Sequence, residues 1–127
     1  MPLITMRVEC LPTEDPEKVK QAVLNLFPGS EIEGAEGGFF ARCDSTERFK
    51  EVLWNLRILD TARAVLLRGM RENRTSFSLN KQVAFVGKVS FVQEPMPLGS
   101  IDVVVEDEHL DELIDSIAPR TVNGEAT

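Results

Sequence analysis

A chain of 127 residues, 43% hydrophobic and 28% charged, has the size and composition of one compact domain, which excludes a disordered or fibrous polypeptide. Its net charge of −7 argues against a generic polyanion binder, because affinity for nucleic acid comes largely from counterions displaced by Lys and Arg. No apolar run approaches the roughly 20 residues that cross a bilayer, and Met1 to Cys10 fits neither a signal peptide nor a presequence, so a cytoplasmic location with no membrane partner is expected.

Leu3 to Leu11 alternates loosely and predicts a strand. Pro12-Thr13-Glu14-Asp15-Pro16 supplies capping side chains and a first-turn proline, so a helix should follow to about Leu26, with Val19, Ala22, Val23 and Leu26 as its buried stripe. Glu31 to Glu33 and Phe39 to Cys43 predict two strands joined through Gly34 to Gly38. Read as a phosphate cradle, this glycine run lacks Lys with Ser or Thr and leads into Phe39-Phe40 instead of a helix; the hairpin reading is preferred. Ser45 or Thr46 should cap a helical stretch to about Arg71. The stripe Phe49, Val52, Leu53, Leu56 is out of phase with Ile58, Ala62, Val65, Leu66, which predicts a break near Ile58 to Asp60, with Asp60 as the next cap.

Thr75 to Asn80 has the period of a half-buried strand. Gln82 to Val92 reads as one long strand or two short ones, with Gly87 a bulge. Pro95 to Gly99 reads as a rigid loop, Ser100 to Val105 as the last strand, Asp107 to Ala118 as the last helix, and residues 120–127 as a frayed tail. The expected class is α+β, a mostly antiparallel sheet with about four helices packed against it, in one domain over residues 1–119.

Chemistry-bearing residues are few. Cys10 and Cys43 have thirty-two residues between them and no Cys-x-x-Cys spacing, so inert thiols in or near the core are expected. His109 is the single histidine, and its plainer reading is a surface side chain, not the base of a dyad. Glu108, Asp111, Glu112 and Asp115 form a carboxylate stripe opposite Leu110, Leu113, Ile114 and Ile117. A divalent metal uses such oxygen ligands, but it normally draws them from several elements, and a solvated helix face gives the same pattern. No metal, cofactor or catalytic residue is therefore expected.

The charge is unevenly spread: residues 1–56 carry a net −4, residues 57–88 a net +5 and residues 89–127 a net −8. On a continuous helix Arg57, Arg68 and Arg71 fall within about 60° of one another, with Arg63 and Arg74 on the flank and Lys81 and Lys88 on the adjoining strands. Arginine grips phosphate bidentately, so this ridge is the candidate RNA contact, with Asn80 and Gln82 as added polar groups. The alternative is that the ridge neutralises the protein's own carboxylates, and composition leaves the two readings balanced. Phe77, Phe85 and Phe91 have the alternation of a base-stacking platform, but a core face alternates in the same way, and core is the preferred reading.

Pro12-Thr13-Glu14-Asp15, Leu59-Asp60-Thr61-Ala62-Arg63, Leu79-Asn80-Lys81-Gln82 with Ala84 and Gly87, Leu98-Gly99-Ser100-Ile101 and Asp115-Ser116-Ile117-Ala118-Pro119 together resemble, in order and over nearly the whole chain, the archaeal family catalogued as uncharacterised protein family 0201. Val83 departs from the alanine expected after Lys81-Gln82. The resemblance implies a fold similar to the ribosomal protein that binds five-S RNA, and an RNA-binding role linked to the exosome. Some relatives are fused to a nucleotide-kinase-like domain, whose Gly-x-x-x-x-Gly-Lys loop does not occur in these 127 residues.

The expected function is a non-catalytic RNA-binding accessory protein. The rival is a protein-interaction module, using the acidic last helix or a sheet edge to dock a partner complex or a second copy as a homodimer. A metal-dependent enzyme is a distant third.

Overall fold

Alternation along Leu3–Glu9 (β1) drives Ile4, Met6 and Val8 to one side, where each is at most 2% exposed, and leaves Thr5, Arg7 and Glu9 outside. The same rule acts on every long strand, so all the buried strand residues point to one face and the helices pack there. The computed structural model describes residues 2–93, 99–122 and 125–126. In chain order the remaining elements are Pro16–Leu26 (α1), Glu31–Ala35 (β2), Gly38–Cys43 (β3), Glu47–Leu56 (α2), Leu59–Arg68 (α3), Met70–Arg71 (β4), Arg74–Asn80 (β5), Lys81–Phe85 (α4), Ser100–Glu106 (β6) and Leu110–Ile117 (α5), then a two-residue ladder of Thr121–Val122 (β7) with Glu125–Ala126 (β8).

The main sheet has the order β2-β3-β1-β6-β5-β4 with every pair antiparallel, the α+β class expected. Five helices, one more than expected, are found among the described residues. In α1, Asp15 caps by accepting from the Glu17 amide, Pro16 opens the helix, and the buried residues are Val19, Ala22, Val23 and Leu26, as the periodicity requires. A stack of Phe27, Phe49 and Phe77, with centroids 5.2 and 5.6 Å apart, ties α1, α2 and β5 together, and Phe91 meets Phe77 edge-on at 5.9 Å. Cys43 is buried and Cys10 half-buried, both as free thiols.

The break between α2 and α3 falls where the phase slip placed it. Arg57 holds a left-handed φ of 57°, which turns the chain so that α2 and α3 bury different faces. Ile58, not Asp60, occupies the cap position and makes no side-chain cap bond; Asp60 lies in the first turn, two residues after the cap, and its carboxylate accepts from the Thr121 hydroxyl. The last helix begins at Leu110, three residues later than expected. Of the expected loop Pro95 to Gly99, residues 95–98 lie outside the described residues.

The helix expected to reach about Arg71 ends at Arg68, with Met70–Arg71 a strand, and a larger departure follows Asn80. The segment from Gln82 is a helix, α4, and not a strand. Asn80 accepts at 3.0 Å from the Val83 amide as an N-cap, and Asn25 on α1 donates to the carbonyls of Ala84 and Phe85 at 3.0 and 2.9 Å. Both ends of this five-residue helix are thus satisfied by asparagine side chains. Gly87, at φ 79°, turns the chain back so that residues 90–92 run beside β5, with Asn80 N–H on the Ser90 carbonyl and Val92 N–H on the Ser78 carbonyl. The apparent period of two in Val83, Phe85, Val89 and Phe91 spans a helix, a turn and an extended segment; Phe85 is left exposed.

Candidate nucleic-acid interface

The nine residues proposed from sequence do not form one ridge. Arg57 sits in the break between α2 and α3, so the continuous helix that aligned it with Arg68 and Arg71 does not exist, and the length of α3, about 15 Å at 1.5 Å per residue, separates Arg57 from Arg68. Arg63 is directed inward: its guanidinium donates to Asp115 at 2.7 Å and to the Ala118 carbonyl at 3.1 Å, with its side chain 17% exposed. Lys81 is 3% exposed and its ammonium donates to the Glu9 carbonyl at 2.6 Å and to Glu14 at 2.8 Å. Asn80 is spent on the α4 cap. These three are bound to the protein's own groups. Gln82 and Lys88 are exposed, near the Asn80 end of β5, about 20 Å along the strand from Arg74.

Arg68, Arg71 and Arg74 do come together. Met70–Arg71 and Arg74–Asn80 pair through Arg71↔Arg74, and Arg71 makes exposed local bonds to the Arg68 and Met70 carbonyls at 3.3 and 2.7 Å. All three are exposed, and none belongs to an ion pair among the described residues. This corner borders a depression of about 470 Å³ that Arg68 shares with Ser76, Ser78 and Asp102.

The corner continues onto the sheet face that no helix among the described residues covers. Cross-strand register lines up Glu33, Phe40, Arg7, Asp102 and Ser78 in one row over β2, β3, β1, β6 and β5. Phe40 is 50% exposed, and the Arg7 guanidinium lies over its ring at 5.6 Å. Asp102 accepts from the hydroxyls of Ser78 and Ser100 at 2.7 and 2.8 Å. Beside the row, Thr5, Glu31, Glu33, Phe40 and Arg42 line a depression of about 240 Å³. Phe40, Arg7 and Arg42 are not among the residues expected from sequence, although a signal is present: of two consecutive phenylalanines on a strand, one must face away from the core. Phe77 and Phe91 belong to the interior stack.

His109 occupies the cap position of α5, exposed, with its amide on Asp107. Glu108, Asp111, Glu112 and Asp115 are exposed, and among the described residues no three His, Cys, Asp or Glu side chains gather as a metal site would require. No helix among those residues is long and apolar enough to cross a membrane.

A family model described as RNA binding matches residues 3–106. A UPF0201 protein of Methanocaldococcus jannaschii is 41% identical over 129 residues, covering 95% of this chain and 75% of the relative. A UPF0200/UPF0201 protein of Archaeoglobus fulgidus is 39% identical over 95% of this chain, which spans 38% of that longer protein. The crystal structure of a UPF0201 protein from Methanococcus jannaschii superposes with a TM-score of 0.89 at 39% identity, covering 98% of both chains.

Proposed function

The chain belongs to the archaeal UPF0201 family, and on that footing we propose that it is a non-catalytic RNA-binding protein whose phosphate contacts are Arg68, Arg71 and Arg74. The observation that carries this reading is the grouping of three exposed arginines at one corner of an otherwise anionic molecule, none of them in an ion pair among the described residues although Glu106 stands across from Arg74. Glu72 in the same turn and Glu106 across from Arg74 offset part of this charge, and the remaining excess can hold a polyanion because exposed acids more than about 8–10 Å away are screened at physiological ionic strength. Arg57, Gln82 and Lys88 lie outside the corner and would add only long-range attraction; Arg63, Asn80 and Lys81 serve the fold.

A salt titration with single-stranded RNA tests the reading. Three phosphate contacts give a slope of log affinity against log salt of about −2, and the triple substitution Arg68→Glu, Arg71→Glu, Arg74→Glu should bring it near zero. Absence of binding at low salt would leave the second reading, a protein-docking module. The observation favouring that one is the outer edge of β2, which is paired with β3 on one side only.

A further inference from the structure

We propose that the open sheet face reads a guanine base, with Glu33 as the discriminating residue and Phe40 with Arg7 as the stacking surface; this rests on the RNA reading above and names the base it takes. Glu33 lies directly across from Phe40 on β2 and β3, so their side chains stand about 5 Å apart at the Cβ atoms on the same face. Both line the 240 Å³ depression, together with the cross-strand pair Glu31 and Arg42. Glu33 is exposed and has no hydrogen-bond or ion-pair partner among the described residues, whereas Asp102, the other carboxylate of the row, already takes two serine hydroxyls.

The chemistry of the free carboxylate selects the base. An ionised carboxylate only accepts, through two oxygens side by side. On its Watson–Crick edge guanine places two donors side by side, the ring N1–H and the exocyclic amine. Adenine and cytosine each offer a donor beside an acceptor there, and uracil offers one donor between two acceptors. A base lying on the Phe40 ring or on the Arg7 guanidinium, both of which stack nucleobases, therefore presents a matched edge to Glu33 when it is guanine and an unpaired acceptor when it is not. Arg42 stands across from Glu31, so the phosphates are left to the corner of Arg68, Arg71 and Arg74, three to four strands from β3, about 14–19 Å at the inter-strand spacing. The occupant is accordingly single-stranded RNA laid across the strands. Glutamates 31 and 33 disfavour a phosphate at that edge, which is why a base edge, and not the backbone, fits there.

The probe is a uridine heptamer with guanosine, inosine or adenosine at its centre, measured by fluorescence anisotropy at low salt. The expected result is guanosine bound about tenfold more tightly than adenosine, the effect of one bidentate base contact, with inosine, which lacks the exocyclic amine, between them. Glu33→Gln should weaken the guanosine heptamer and strengthen the adenosine one, opposite directions that loss of a negative charge alone cannot produce. Phe40→Ala should weaken all three. Equal affinity for the three heptamers, or a Glu33→Gln change of the same sign for all, overturns the guanine site while leaving RNA binding intact; no binding of any heptamer overturns the RNA reading itself. Concentration-dependent self-association that protects the β3 amides without RNA also overturns the guanine site and gives the face to a second copy.

Discussion

Glu14 accepts a 2.8 Å hydrogen bond from Lys81, sixty-seven positions away in the chain, inside a site where the lysine side chain is only 4% exposed. The same carboxylate accepts from the Leu11 amide at 2.9 Å, so one ion pair fastens the loop after β1 to the start of α4. Burial pushes the Glu14 carboxyl up, but the hydrogen bonds from Lys81 and Leu11 and the charge of Lys81 outweigh it and hold the group below its ordinary value. A carboxyl depressed in the folded state stabilises fully above its unfolded pKa and loses that contribution as pH falls through the folded value. The melting temperature should therefore drop as pH is taken down through and below the ordinary carboxylate range, and the part of that drop due to Glu14 should vanish in Glu14→Gln. Lys81→Met, which strands the carboxylate, should cost about 3 kcal/mol in chemical denaturation at pH 7, and Glu14→Leu with Lys81→Met should recover much of it.

Arg63 and Arg71 test what separates a structural arginine from a binding one. Arg71→Gln should reduce the salt slope of RNA binding by about 0.7 with little change in stability. Arg63→Gln should leave the slope alone and lower stability by about 1 kcal/mol, since it removes a partly buried donor from Asp115 and the Ala118 carbonyl. Equal effects of the two on the salt slope would contradict the assignment of the corner.

Two glycines are fixed by close backbone approach. A Cβ on Gly38 would stand 1.9 Å from the Val8 carbonyl oxygen, and one on Gly69 would stand 2.1 Å from that of Ser76. Neither oxygen is the end of a flexible side chain, so the β1–β3 ladder or the α3–β5 junction must open. Gly38→Ala and Gly69→Ala should each cost about 3 kcal/mol, read as a lower denaturant midpoint. Gly34→Ala, with nothing within 4 Å of its Cβ, serves as the control and should change stability by less than about 0.5 kcal/mol.

Helix α4 is too short to persist on its own and depends on its two asparagines. Asn80→Ala should cost about 1 kcal/mol by removing the cap, and Asn25→Ala about 1–2 kcal/mol by freeing two carbonyls. Amide hydrogen exchange should show the loss locally, with faster exchange at Val83 in the first variant and around Ala84 to Gly87 in both. Unchanged protection there would mean that packing on α1, and not the asparagines, holds the helix.

Local periodicity is legible wherever a single element decides which way a side chain points. The stripe of α1, the alternation of β1 and β5, and the phase slip at Ile58 were all readable, because a 3.6- or 2-residue repeat is written into adjacent positions. Segment 81–92 was not, because its helix is held by Asn25, fifty-nine and sixty positions away from its bonding partners, and pattern alone cannot weigh such a contact against β propensity.

What the sequence determined by itself is the α+β class, the run of strands and helices that makes one face of the sheet apolar, and the concentration of basic residues in the middle of the chain. What only the tertiary structure decided is which cations remain available: Lys81 and Arg63 pair with carboxylates sixty-seven and fifty-two positions away, while Arg68, Arg71 and Arg74 form no ion pair among the described residues. The physical reason is that the fate of a charge depends on the groups that folding brings within a few ångströms of it, and that proximity is a property of the packed chain, not of neighbours in sequence.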